Sequence, residues 1–101
     1  MSVSGDLHTF NEENVAKTPP GMGVYSLHKA DEAIYIGKAE GGDGIRGRLQ
    51  YHLHGKNPCT KQATGYRYEL HRNPAAKEDE LLLEYKLAHG RLPLCNEFAQ
   101  Q

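Results

Sequence analysis

Arg48 and His52 lie four residues apart, about one helical turn, on the side of a segment that also carries Ile45 and Leu49. An arginine offers a planar, permanently charged donor fork that matches phosphate oxygens. A histidine one turn away can donate to such an oxygen or move a proton. Glu84 is the second feature. Leu81, Tyr85 and Ala88 recur at i, i+4 and i+7, and Glu84 lies about 60° from Leu81 around the helix axis. A carboxylate at the edge of an apolar stripe needs a cation, a metal or strong donors. A salt bridge to a basic neighbour or a solvated edge would satisfy it equally well. His52, His54 and Cys59 match no standard zinc spacing.

The elements that must position these groups can be read from pattern. Asn11 caps a short helix over 12–17, and Pro19-Pro20-Gly21 stops it. Residues 23–28 and 33–38 are rich in β-formers and separated by about four polar residues, which predicts an antiparallel hairpin. A glycine-rich break over 40–44 precedes the amphipathic helix of Ile45, Leu49, His52 and Leu53, with Asp43 as its cap. Residues 56–64 read as a polar loop. Tyr66, Tyr68 and Leu70 alternate with Arg67, Glu69 and His71 as in a half-buried strand. Asn73-Pro74 starts a helix that runs to about His89, and Gly90 terminates it. Leu92-Pro93-Leu94 reads as an extended tail. The order predicts an α+β domain, a three-stranded antiparallel sheet flanked by helices.

With 101 residues the chain makes one domain, 1–101. Its 25% charged and 38% hydrophobic residues fit a globular protein. No apolar run approaches the roughly 20 residues of a membrane span, and residues 1–10 lack the pattern of a secretory signal. No membrane partner and a cytoplasmic location are expected. Two cysteines outside any CxxC pair make a reduced state the default, with a Cys59–Cys95 disulfide left open. The net charge is −1, yet residues 44–77 hold seven Lys and Arg against one Glu. Such a local basic surface can attract a polyanion, although a solvated face of mixed charges would show the same bias.

Taken together, the chain resembles the GIY-YIG nucleases. Gly23-Val24-Tyr25, ten residues, then Tyr35-Ile36-Gly37 resembles the paired motif of that family. Arg48 in Gly44-Ile45-Arg46-Gly47-Arg48-Leu49, Glu84 in Glu80-Leu81-Leu82-Leu83-Glu84, and Asn96 after Leu92-Pro93-Leu94-Cys95 follow in the family's order. The motifs span 23–96, leaving 1–20 as a short helix and turn. Valine stands for the first isoleucine, and the glycine-rich approach over 40–44 is longer than usual.

The resemblance implies a metal-dependent endonuclease that hydrolyses phosphodiester bonds by a one-metal mechanism. Its partner would be nucleic acid, DNA ahead of RNA, with a protein partner to supply targeting. Glu84 would hold one divalent ion, Mg²⁺ or Mn²⁺, with water in the remaining positions. Arg48 would neutralise the phosphate. Tyr25 would orient or deprotonate the attacking water, although an ordinary phenol is a poor base at neutral pH. Tyr35 would position water or phosphate, and His52 would relay a proton or donate to phosphate. Lys38 and Arg46 would assist substrate binding, Gly23 and Gly37 would allow close backbone approach, and Asn96 would pin the tail and the wall of the site. The alternative implied by the same fold is a nucleic-acid-binding or DNA-repair accessory module with little catalysis.

Overall fold

The computed structural model describes residues 3–99. Four strands form one antiparallel sheet in the order β1-β4-β2-β3: β1 is His8–Thr9, β2 Gly23–Lys29, β3 Glu32–Ala39 and β4 Gly65–Leu70. The helices are α1 Glu12–Ala16, α2 Gly44–His54, α3 Pro74–His89 and α4 Leu94–Ala99, with a single 3-10 turn at Thr60–Gln62. The sheet therefore has one strand more than expected. The addition is β1, whose two residues pair with Tyr66 and Gly65. Two residues carry too little alternation to register as a pattern, and β4 recruits them through its open edge.

The central strand β2 is buried on both faces from Gly23 to His28. Tyr25 and Leu27 point to one side, where they pack with Val15 of α1, Ile45 and Leu49 of α2, Tyr66 and Cys95. Val24 points to the other, with Val3, Ile36 and Leu81 of α3. The helices thus lie on opposite faces of the sheet, α3 on one and α1, α2 and α4 on the other. The hairpin between β2 and β3 turns on only two residues, since Lys29 already pairs with Glu32. Ala30 takes φ 55, a left-handed conformation that costs a residue with a Cβ about 1 kcal/mol.

Helix ends follow the sequence closely. Asn11 Oδ1 accepts from the Asn14 amide at 2.9 Å, and Asn73 Oδ1 accepts from the Ala76 amide at 3.4 Å. Gly90 ends α3. Asp43 precedes α2 without a side-chain capping bond.

The expected extended tail is helical from Leu94, with Pro93 immediately before the helix. This helix carries Asn96 to the free edge of β3. Asn96 Oδ1 accepts from the Ile36 amide at 2.9 Å, and its Nδ2 donates to the Ile36 carbonyl at 2.9 Å. Cys95 and Cys59 are joined in a disulfide, so the reduced default does not hold. The bridge ties α4 to the loop after α2 across 36 residues.

Two measurements follow from these clamps. Replacing Asn96 with Ala strands a buried N–H and a buried C=O, and should lower stability by about 2–3 kcal/mol in urea unfolding. Reducing the disulfide releases a loop whose closure is worth about 2–4 kcal/mol. Thermal unfolding in a dithiol reductant should therefore shift down by roughly 10 °C or more.

Candidate functional site

The amphipathic spacing of α2 determines which side chains meet the sheet. Ile45 and Leu49 are fully buried against it, and His52 comes one turn later at 6% exposure. Its Nε2 is 2.8 Å from the Tyr25 hydroxyl. Tyr25 itself is wholly buried, so its hydroxyl needs a partner in place of water. Tyr35 completes the cluster, with its ring 5.0 Å from His52 and 6.1 Å from Tyr25, centroid to centroid.

Gly37 makes room for this cluster. A Cβ there would lie 2.6 Å from both Cζ and Oη of Tyr25, and 2.8 Å from Cε2 of Tyr35. Gly23 is a second close approach, since a Cβ would come within 2.1 Å of the Glu69 carbonyl. Both glycines of the paired motif therefore serve close packing.

Arg48 lies on the exposed side of the cluster, one turn before His52, and its charge and hydrogen bond act on Tyr25. Burial pushes the Tyr25 phenol above its ordinary range, the nearby Tyr35 raises it further, and Arg48 offsets part of the rise. Burial also raises Tyr35, again with Arg48 opposing. His52 is pushed down to about 4 by burial and then by the Arg48 charge. With both groups neutral, Tyr25 donates to Nε2 in the tautomer that carries its proton on Nδ1, and Nε2 donates to the Tyr25 oxygen in the other.

Four of the residues singled out in the sequence, Tyr25, Tyr35, Arg48 and His52, thus meet at one place. Gly37 lies beneath them, and Lys38 follows on the edge strand, 3.5 Å from Glu40. Two others have structural duties. Arg46 Nε donates to the Thr18 carbonyl at 2.7 Å, tying α2 to the segment after α1. Asn96 is occupied at the β3 edge. Tyr66 is buried and shares a 2.8 Å hydrogen bond with Thr18, so it presents no stacking face.

Glu84 is not brought to this cluster. It lines a cavity of about 400 Å³ under α3 with Ser26, His28, Ile36 and Arg67. The carboxylate whose charge reaches both Tyr25 and Tyr35 is Glu78. The reason is helical geometry. Glu78 and Glu84 flank Leu81 by three residues on either side, about 60° away in opposite senses and about 9 Å apart along the axis. Apolar periodicity picks out both equally; only the sheet decides which one stands at the tyrosine end. Glu78 is half-buried, and burial raises its carboxyl pKa; Lys38 opposes that rise, while Asp79 and Glu40 add to it.

A metal fits this carboxylate in its chemistry. Among the described residues no cluster of three or more His, Cys, Asp or Glu is placed to hold an ion. Asp79 and Glu40 set further negative charge near this one hard oxygen donor, which favours a mostly hydrated divalent ion, while burial works against the charged form that would hold it. Cys59 is engaged in the disulfide, which removes it from any metal set with His52 and His54. No helix among the described residues is long and apolar enough to cross a membrane.

Comparison with known proteins places the fold. No protein-family model and no curated protein matches the chain. Among solved structures it is similar to the GIY-YIG N-terminal endonuclease domain of UvrC from Thermotoga maritima, bound to its catalytic divalent cation, magnesium. Identity is 22% over 75% of this chain and 94% of that one, with a TM-score of 0.58. A tyrosine-to-phenylalanine variant of the same domain, also bound to its catalytic divalent cation, matches at 21% identity, 75% and 94% coverage and TM-score 0.58. The likeness is one of fold: an antiparallel sheet flanked by helices, as the sequence motifs imply.

The buried histidine gives a pH signature. Between pH 6.5 and about 4 the unfolded chain binds a proton at His52 that the folded chain excludes, so stability falls as pH falls through that window. His28, lowered by burial and Arg67, adds in the same direction. Urea midpoints measured from pH 7 to pH 4 should drop, and His52→Gln should flatten part of that slope.

Proposed function

We propose that this chain is a divalent-metal-dependent nuclease that hydrolyses phosphodiester bonds within nucleic acid, DNA ahead of RNA. The observation that carries the reading is the convergence of Tyr25, Tyr35, Arg48 and His52 at the Gly37 end of the hairpin. The basic surplus over 44–77 supports a polyanionic substrate, and a fold shared with a cation-binding endonuclease domain supports the reaction class.

In this mechanism Arg48 binds the scissile phosphate and stabilises charge as it builds on the equatorial oxygens. Water attacks phosphorus with the half-buried Tyr35 positioning it. The Tyr35 oxygen takes the water's proton while its own proton passes to the Tyr25 oxygen, and the Tyr25 proton passes to His52 Nε2. Burial makes Tyr25 too weak an acid to act as a free phenolate, so it serves as a relay; His52, pushed down to about 4 chiefly by burial, is a weak final acceptor at neutral pH. Arg48 also regulates the relay, because its charge lowers His52 basicity and a bound phosphate neutralises that charge. Mg²⁺ or Mn²⁺, when bound, neutralises the phosphate and the leaving oxygen. Glu78 is the carboxylate to hold it; Lys38 lies beside Glu78 and adds positive charge at the edge of the site.

The resemblance marks Glu84 for the metal role and the geometry favours Glu78, so the two are tested side by side. Labelled single-stranded DNA, duplex DNA and RNA are incubated with Mg²⁺, Mn²⁺ or EDTA and wild type, Arg48→Ala, Glu78→Gln or Glu84→Gln. Cleavage should require the metal. Arg48→Ala and Glu78→Gln should lose about 100-fold or more, with Glu84→Gln near wild type. Mn²⁺ titration followed by electron paramagnetic resonance should show binding lost in Glu78→Gln alone. The reverse pattern would move the metal to Glu84. Binding without cleavage by well-folded wild type would instead favour the accessory-module reading. Affinity should fall severalfold between about 50 and 200 mM salt, because phosphate contacts supply most of it.

A further inference from the structure

Tyr51 takes no part in the proton and phosphate chemistry, yet its position is informative. The residue is 63% exposed, so its ring contributes little to the core. It follows Arg48 by three residues and stands on the same side of α2. The Arg48 guanidinium carbon lies 4.7 Å from its ring centroid, and the His52 ring meets it edge-on at 5.4 Å. The ring also forms a wall of an open cavity of about 200 Å³, shared with His52, Lys56 and Asn57. Asn57 is held in place there, since its Oδ1 accepts from the Cys59 amide at 2.8 Å.

An exposed aromatic ring beside a phosphate-binding arginine has an evident use. A nucleotide whose phosphate rests on Arg48 has its base within reach of Tyr51, and Lys56 adds a cation to the lining of the same cavity. Stacking on a ring needs an open face of the base. A base within a duplex has both faces covered by its neighbours, whereas an unpaired base can turn outward. We propose that Tyr51 stacks an unpaired base next to the scissile phosphate, so that the substrate class is single-stranded or flapped nucleic acid rather than continuous duplex. Stacking of this kind tolerates any base, so sequence preference is weak. The inference rests on the nuclease reading, with Arg48 as the phosphate ligand.

Binding measured in EDTA separates the two. The probes are a short single-stranded DNA carrying one 2-aminopurine and the same strand annealed to its complement. Wild type should bind the single strand more tightly and quench its fluorescence. Tyr51→Ala should weaken single-strand binding about tenfold and abolish the quench, leaving duplex binding unchanged. Tyr51→Phe should restore both. A Tyr51→Ala protein that binds and quenches like wild type, or that loses single strand and duplex equally, overturns the proposal and leaves the nuclease reading standing. Wild type that binds neither probe overturns both.

Discussion

The buried hydroxyl of Tyr25 is the constraint around which this molecule is arranged. A phenol with no solvent access must find a partner inside the protein, and the partner here is His52. For that bond to form, α2 must cross the sheet at a height where Ile45, Leu49 and His52 all face inward. The ring must also lie flat over β3, which only a residue without a side chain at position 37 permits. One polar pair therefore sets the placement of a helix, the identity of a strand residue and the protonation state of a histidine. The interior that results is poor ground for a charged group.

The electrostatics of the cluster follow from its asymmetry. Tyr25 and His52 are screened from water and Tyr35 is half-buried, whereas Arg48 lies on the solvent side. Its charge acts inward on the phenols and the imidazole, and outward on whatever anion arrives. Burial is what keeps Tyr25 and His52 neutral; the same cation depresses His52 further but pulls Tyr25 back toward ionisation.

Much of this was legible in the chain because it depends on local periodicity. The hairpin, the two long helices and the caps at Asn11 and Asn73 come from spacing that extends over many residues. Arg48 and His52 could be named because they share a helix side with Ile45 and Leu49, and Tyr25 and Tyr35 because Gly23-Val24-Tyr25 and Tyr35-Ile36-Gly37 resemble a paired family motif. What could not be read depends on tertiary contact. Strand β1 exists only because β4 offers an open edge, and α4 forms where the sequence shows merely a proline and a few apolar residues. The two cysteines meet because separate elements bring them together. Glu78, the carboxylate proposed for the metal, escaped the sequence reading for a different reason. It is the mirror position of Glu84 across Leu81, and a helix viewed alone has no means of preferring one over the other.

Asn96 has a meaning beyond the wall it builds. Strand β3 is the outermost strand of the sheet, and the amide and carbonyl of Ile36 face away from β2 toward open space. Such groups are a template on which another extended chain can add itself. The carboxamide of Asn96 occupies both at once, as a neighbouring strand would, and the bridge at Cys95 fixes it there. The residue is in effect a one-residue imitation strand. It ends the sheet at the point where an unguarded edge would invite a second molecule to continue it.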